Sequence, residues 1–392
     1  MKTKHLYIVL ILINISFISC KKKGCTDPNA SNYDSKAKKD DGSCELNTIG
    51  TYDRAKMLSN IADNYIIPAY TNYELATSNL KDKVDAFNST PSSTTLQDLR
   101  QSWRQACIDW QAVSFIDFGP ALDISLKSQT NIFPTDTALI KSNISSGTYD
   151  LQTPSNFDAK GFQAIDYLLF GTGNNDQEVV DYFINTVEAK NYLIKLVDEL
   201  KVNATPVLTN WSNSYKESFK NNNADNSQGS AVSNLVNALS SHYETYIRKG
   251  KVGLPSGVFN GFSQQPMPGH VEALYSGYSF DFSVAVMQAM NKYIKGNHFT
   301  TNVAGQGLDD YIIFVAAKDA NGNGLETTID SQITSIISAL NGHSNVLSNE
   351  VMNNNTQVLA TYQEMQKLVP MIKVDLTSAL GVLVTYQDND GD

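Results

Sequence analysis

Apolar side chains recur three and four residues apart through most of this chain, which constrains its fold more than any other feature. This spacing places one face of an α-helix against a core, whereas a half-buried strand alternates apolar and polar residues. No alternating run bounded by hairpin turns competes with it. The sequence therefore predicts an all-α protein. The first stripe comprises Leu58, Ile61, Tyr65, Ala69, Tyr73, Ala76, Leu80, Val84 and Phe87.

Further stripes with the same spacing each predict another helix. Pro68 should kink or split the first helix, because proline lacks a backbone N–H. Two long polar or irregular segments, residues 221–227 and 250–269, read as loops, and such loops are often functional. The simplest architecture is two helical bundles in tandem. The further stripes occupy residues 96–113, 162–169, 232–246, 282–293, 329–340 and about 351–380.

The first twenty residues have the pattern of a bacterial lipoprotein signal. A basic start, MKTKH, precedes the apolar run LYIVLILINISF, which is too short to span a bilayer as a mature helix. The run ends in FISC and resembles a lipobox, with Phe17 where leucine is commoner. An ordinary signal peptide or a membrane anchor are the alternatives, but the Lys-rich segment after Cys20 favours lipidation. We therefore expect residues 1–19 to be removed and residues 20–24 to tether the protein to the outer membrane.

The cysteines predict a small stapled module behind this anchor. If Cys20 is acylated, Cys25 and Cys44 remain as the obvious pair. A disulfide closing a loop of this size contributes about 3 kcal/mol on the chain-entropy model. Residues 25–46 resemble a short Cys-bracketed repeat of secreted and surface proteins of Bacteroidetes. An extracytoplasmic location permits such a disulfide.

Composition and motifs exclude several classes of function. The net charge of −10 and the pI near 5.0 argue against a nucleic-acid partner. The chain contains no HExxH, no CxxC pair, no GxSxG elbow and no Walker loop. The sequence therefore offers no catalytic residue by motif alone.

The segment DANGNGLETTID, residues 319–330, has the spacing of an EF-hand calcium loop. Asp319, Asn321, Asn323 and Asp330 occupy ligand positions one, three, five and twelve. The segment carries few acids, and Glu326 stands where a hydrophobic residue is usual. Two interpretations remain, a helix–turn–helix connection and a weak calcium site.

Several separate segments are similar to the imelysin family, also called the imelysin peptidase family, and to its lipoproteins from Bacteroidetes. The resemblance implies an all-α domain over residues 47–392, with halves of about 47–220 and 228–392 and a site between them. It also implies peptidase-like, metal-binding or iron-uptake roles. The similar segments are residues 64–70, 103–120, 248–255, 271–282 and 373–392.

The family signature is GxHxxE on a helix, and the stretch KGFQAIDYLLFG is similar to it. Gly161 matches, Gln163 stands in place of the histidine, and Asp166 stands in place of the glutamate. Residues three apart lie on the same side of a helix. Glutamine is a weak neutral ligand that does not titrate, so the strongest metal ligand of the signature is missing. We therefore expect metallopeptidase activity to be absent.

Three further residues complete the candidate site. Relatives often carry glutamate about where Ser114 stands, and Glu272 resembles an acidic position of the family. His270 precedes Glu272 by two residues, and a loop could aim both at one metal ion. Asp166 and Glu272 are the candidate metal ligands, for iron, zinc or calcium held weakly. The contrasting interpretation is that Gln163 and Asp166 only satisfy polar groups inside a helical core.

Three functions therefore compete. The leading hypothesis is a non-catalytic envelope lipoprotein whose cleft holds a peptide, a small molecule or a metal delivered with an envelope protein partner. The second is a divergent metallopeptidase with Asp166, Glu272 and His270 as ligands and a metal-bound water as nucleophile. The third is a surface interaction protein tuned by calcium.

Overall fold

Helices account for nearly all regular structure in the computed structural model, which describes residues 22–26, 32–44 and 51–387. The all-α prediction is confirmed, since these ranges contain only isolated β-bridges and no strand. The signal peptide and Cys20 lie outside the described residues. Backbone contacts divide the chain into two compact units, Met1–Tyr52 and Asp53–Asp392. In the first unit, Cys25 and Cys44 form the predicted disulfide.

The second unit contains the α-helices, which range from one turn to more than six turns. Within the described part of the chain they are α1 Arg54–Asn60, α2 Ile67–Ser89, α3 Ser93–Val113, α4 Pro120–Asp123, α5 Leu126–Thr130, α6 Thr137–Ser146, α7 Gly161–Phe170, α8 Asp176–Asn185, α9 Val187–Asn210, α10 Lys216–Asn221, α11 Ala231–His242, α12 Ser279–Ile294, α13 Leu308–Phe314, α14 Leu325–Asn341, α15 Leu347–Asn353, α16 Asn355–Pro370 and α17 Leu376–Leu380.

Wider and tighter helical turns join several of these helices. The π-helical segments are Ile61–Ile66, Trp211–Tyr215, Tyr243–Gly253 and Met371–Asp375, and the 3₁₀ turns are Pro154–Ala159, Gly261–Ser263 and Pro268–His270. Pro68 lies directly after the π-helical segment Ile61–Ile66, and the carbonyl of Asn64, which its missing N–H would otherwise meet, accepts the backbone N–H of Phe299 at 2.7 Å. None of the described helices is both long and apolar enough to cross a bilayer.

Two groups of packed helices surround the candidate site. Helix α2 lies between α3 and α9, and α7 packs on α9. Helix α3 also packs on α12. Helix α12 packs in turn on α14, and α14 packs on α16. The pair α3 and α12 thereby joins helices from both ends of the sequence.

Two sequence expectations need correction here. Helix α9 has 24 residues and a buried stripe that includes Leu193, Leu196 and Leu200, yet it is absent from the predicted helices. The segment 250–269 was expected to be irregular throughout, but its first four residues continue the π-helical segment Tyr243–Gly253. Lys251 is therefore held on a helical turn and not in a loop.

Candidate functional site

The signature helix α7 is buried along its whole length except at Phe170. It begins at Gly161, whose φ of +71° is one that only glycine adopts readily. The carbonyl of Thr130 occupies the space where a Cβ of residue 161 would lie. The glycine of the signature is therefore required by backbone conformation and by this close approach.

Gln163 is bonded to the protein at both ends of its amide. Its Nε2 donates to Oδ1 of Asn131 at 2.8 Å, and its Oε1 accepts from the backbone N–H of Ala273 at 2.7 Å. Ala273 has a φ of +52°, a strained conformation for a residue with a side chain. Gln163 thus fixes the segment 271–277 over α7.

Asp166 holds the same segment two residues further on. Its carboxylate accepts the backbone N–H groups of Tyr275 at 2.9 Å and Ser276 at 3.1 Å. The side chain is buried, with 1% of the residue exposed. Burial raises the pKa of Asp166 to about 7, against the opposing effect of the hydrogen bonds from Ser276 and Tyr275.

Glu272 lies in the same buried cluster and is fully engaged. Its Oε2 accepts from the ammonium of Lys251, and its Oε1 accepts from Asn131 Nδ2 at 2.7 Å and Gln111 Nε2 at 3.2 Å. Both Lys251 and Glu272 are almost completely excluded from solvent. The positive charge beside Glu272 is therefore supplied by the protein itself.

Ser114 and His242 form a second pair at this cluster. Ser114 ends α3, and its Oγ lies 3.1 Å from His242 Nε2. Burial, together with the charges of Lys127 and Lys251, holds the pKa of His242 well below its usual range. The space beside the pair is about 10 Å³, enough for one water and not for a substrate. A serine-hydrolase role therefore does not fit.

Sequence reasoning missed Lys251, Asn131 and His242. His242 could have been found, since it lies three residues after Leu239 and four before Tyr246, on the apolar face of the predicted helix. Lys251 and Asn131 gave no such signal. Both residues bind Glu272, which is 21 residues from Lys251 and 141 residues from Asn131 in the sequence.

His270 does not join Glu272 in a shared ligand set. It ends the 3₁₀ turn Pro268–His270 and is half-buried, and no hydrogen bond or ion pair links the two side chains within the described residues. Nowhere in that part of the chain do three or more His, Cys, Asp or Glu side chains converge to hold a metal ion. With Glu272 paired to Lys251 and Gln163 bonded twice, the donor chemistry does not fit a resident metal.

The candidate calcium loop, residues 319–330, is closed by its own hydrogen bonds. Asp319 Oδ1 accepts the backbone N–H groups of Asn321 at 2.9 Å and Asn323 at 2.8 Å. Asp330 lies within α14 and pairs with Lys295 at 2.6 Å. The structure brings Asp319, Asn321 and Asn323 together as a turn and directs Asp330 to another partner.

A small cavity adjoins the signature helix. Its volume is about 90 Å³, and Gln163 and Asp166 form one wall. The other lining residues include Thr135, Thr137, Gly269 and Tyr275. The site therefore consists of a closed polar cluster around Glu272 and a cavity beside Asp166 that is large enough for several water molecules.

An all-α unit with a GxHxxE-like helix buried against a polar cluster is the architecture of an imelysin-type protein. The model of the imelysin family, peptidase M75, matches residues 66–370, so the chain belongs to that family. The predicted family resemblance is thereby confirmed.

Solved structures share the fold at low sequence identity. A putative iron-regulated protein A precursor from Parabacteroides distasonis superposes with a TM-score of 0.70 and 17% identity, over 83% of this chain and 95% of that one. An imelysin-like protein from Psychrobacter arcticum superposes with a TM-score of 0.56 and 17% identity, over 85% of this chain and 97% of that one. Iron-regulated protein A of Synechococcus elongatus is 22% identical over 39% of each chain, so the match spans well under half of that relative.

Proposed function

We propose that this protein is a non-catalytic binding lipoprotein of the cell envelope, in which the ammonium of Lys251 takes the place of a metal ion at the imelysin site. The observation that supports this is the buried pair of Lys251 and Glu272. A cation bound to Glu272 would have to displace Lys251 and leave its ammonium buried without a partner, which is costly. The ligand is then a peptide or a small molecule rather than a tightly held metal.

The arrangement around Gln163 supports the same proposal. A peptidase of this type needs a metal-bound water as its nucleophile and a ligand set that holds the metal. Both ends of the Gln163 amide are hydrogen-bonded, to Asn131 and to Ala273, and the side chain has no titratable group. Gln163 therefore contributes only hydrogen bonds to the chemistry of this helix.

Metal analysis combined with peptide digestion tests the proposal. We expect the full-length protein, dialysed against Fe²⁺, Zn²⁺ or Ca²⁺, to retain far less than one ion per chain. Unstructured peptides should not be cleaved, with or without a chelator. One iron or zinc per chain that is lost in Asp166→Ala, or cleavage that a chelator abolishes, would contradict the proposal and favour the divergent metallopeptidase. A melting temperature raised by calcium would favour the calcium-tuned surface protein.

A designed pair of variants isolates the role of Lys251. Gln163→His alone should not create a metal site, because the ammonium of Lys251 is still paired with the carboxylate of Glu272. Gln163→His combined with Lys251→Met should bind Zn²⁺ more tightly than either single variant. Lys251→Met alone is the matched control, since it frees Glu272 without adding the imidazole.

Anchoring at Cys20 is part of the proposal and has its own experiment. Its support is the basic, apolar and FISC pattern of the first twenty residues. In cells grown with labelled palmitate, the wild-type protein should carry the label and sediment with membranes. Cys20→Ser should lose both properties. Label retained by Cys20→Ser would show that Cys20 is not the lipidated residue.

A further inference from the structure

Asp166 differs from the other buried carboxylates of the described residues in having no basic partner. Glu272 pairs with Lys251, Glu244 pairs with Lys373 at 3.1 Å, and Glu350 lies 3.5 Å from the ring of His343. Asp166 accepts the two backbone N–H groups described above and a hydrogen bond from the side chain of Ser276, and none of these donors carries a charge. A buried charge without a partner is expensive, so this carboxylate is the place in the molecule where an external cation would be most stabilised.

The cavity beside Asp166 gives such a cation a place to bind. A carboxylate can accept about four hydrogen bonds, and about one of these sites on Asp166 remains after the N–H groups of Tyr275 and Ser276 and the hydroxyl of Ser276 have donated. The hydroxyl of Thr135 donates to the carbonyl of Asp158 at 2.6 Å, which leaves its oxygen free to accept. Asp166 and Thr135 therefore offer two acceptors to a ligand in this cavity.

The volume of the cavity and its other lining residues indicate which class of cation could bind. About 90 Å³ holds several waters or one compact head group, but not a peptide. Pro134, Val271 and Leu274 supply an apolar wall suited to a methylene chain. Oxygen-ligated divalent cations take six or more ligands, whereas the described residues place no group of three His, Cys, Asp or Glu side chains at this cavity.

We propose that this cavity binds a primary ammonium group at the end of an alkyl chain. The ammonium would donate to the carboxylate of Asp166 and to Thr135, and the methylenes would pack on Pro134, Val271 and Leu274. The rest of the ligand would leave through the mouth at Gly269 and Tyr275. This inference rests on the proposed function and names the ligand class of the same site.

Calorimetric titration of the full-length protein with n-butylammonium at pH 8 tests the inference. We expect saturable binding at one site per chain. Two probes separate the contributions, since 1-butanol has the chain without the charge and tetramethylammonium has the charge without an N–H. Both should bind at least tenfold more weakly than n-butylammonium.

Three variants locate the site. Asp166→Asn removes the charge and should weaken binding at least tenfold. Gly269→Leu places a side chain at the mouth, where a Cβ meets no neighbour within 4 Å, and should also weaken binding at least tenfold without disturbing Asp166. Asp109→Asn is the matched control and should bind like the wild type, because Asp109 is a partly buried carboxylate whose pKa burial also raises and which does not line this cavity.

The outcomes separate this inference from the proposed function. Equal binding of 1-butanol or tetramethylammonium, full affinity in both Asp166→Asn and Gly269→Leu, or no saturable binding would overturn the ammonium site. With a metal-free and non-proteolytic protein, that result would leave the proposed function intact. One bound metal ion per chain that n-butylammonium displaces would overturn both.

Discussion

Gln163 and Asp166 hold backbone N–H groups of the segment 271–277 in this structure. Between them they accept the N–H groups of Ala273, Tyr275 and Ser276, and that of the fully buried Ala273 would otherwise lack a partner. An unsatisfied buried donor costs about 1–3 kcal/mol. The change from histidine and glutamate to glutamine and aspartate therefore keeps acceptors at both positions while removing the strongest metal ligand.

Replacing Gly161 should be more damaging than replacing an open glycine in the same backbone region. Gly161→Ala forces a side chain into the left-handed region, at about 1–2 kcal/mol, and also pushes the Thr130 carbonyl away. Gly147→Ala is the matched control, because Gly147 has a φ of +65° but an added Cβ meets nothing within 4 Å. Urea unfolding should show a clearly larger loss of stability for Gly161→Ala. Equal losses would mean that the carbonyl contact is unimportant.

The Lys251 and Glu272 pair should show strong energetic coupling. Lys251→Met leaves a buried carboxylate unpaired and should destabilise the protein by about 3–5 kcal/mol. Adding Glu272→Gln removes that charge, so the double variant should recover much of the lost stability. A double-mutant cycle from chemical unfolding measures the coupling. Additive effects of the two substitutions would show that the pair does not interact in solution.

At the scale of elements, a short C-terminal segment is fastened along α11. Asn237 donates to the carbonyl of Leu383 at 3.0 Å and accepts the N–H of Thr385 at 2.8 Å, while Ser240 and the hydroxyl of Tyr386 are 2.7 Å apart. One side chain thereby satisfies two backbone groups of an extended segment. The last residues of the described chain are held by side chains and not by a helix of their own.

Asn237→Ala should release this segment without unfolding the helices. The N–H of Thr385 would lose its acceptor, so its hydrogen exchange should accelerate by at least tenfold. Amides in the middle of α11, which bond within the helix, should keep their protection. Ser233→Ala is a suitable control, because its hydroxyl contacts Asn237 but not the C-terminal segment. Unchanged exchange at Thr385 would contradict this role of Asn237.

Helices that carry a continuous apolar stripe were predictable, and the turns between them were not. Helix α3 begins within three residues of its predicted stripe, with Ser92 and Thr95 forming a capping box. Helix α9 carried the same kind of stripe and could have been found. The π-helical segment that places Lys251 could not, because a π-turn differs from an α-turn by one residue and leaves no distinct pattern of side chains.

At the scale of the whole molecule, the site depends on contacts between distant parts of the sequence. Gln163 meets Ala273 across 110 residues, and Gln111 meets Glu272 across 161. Local periodicity predicts which face of each helix is buried but not which helices meet. The resemblance to the imelysin signature supplied the positions of Gln163, Asp166 and Glu272, while their partners emerged only from the fold.

Burial of a neutral histidine should give the helical unit one contribution to stability that falls in acid, opposed in the same pH range by the raised pKa of Asp166. The pKa of His242 is held well below 6.5 in the folded state by burial and by Lys127 and Lys251, whereas the unfolded chain takes up its proton near pH 6.5. Below that pH the unfolded state binds more protons, so stability decreases as the pH falls and is level, for this group, above pH 6.5. One such group contributes about 1.4 kcal/mol per pH unit.

Unfolding free energies measured between pH 5 and pH 8 should therefore show a smaller slope below pH 6.5 in His242→Gln than in the wild type. Ser114→Ala is the matched control, since it removes the hydrogen bond to His242 Nε2 but leaves the buried ring able to titrate. That variant should be less stable at every pH and keep the wild-type slope. Identical slopes in the wild type and His242→Gln would show that His242 does not couple protonation to the stability of the fold. Because Lys251 both pairs with Glu272 and opposes a proton on His242, Lys251→Met should also reduce the slope by allowing the ring to protonate in the folded state.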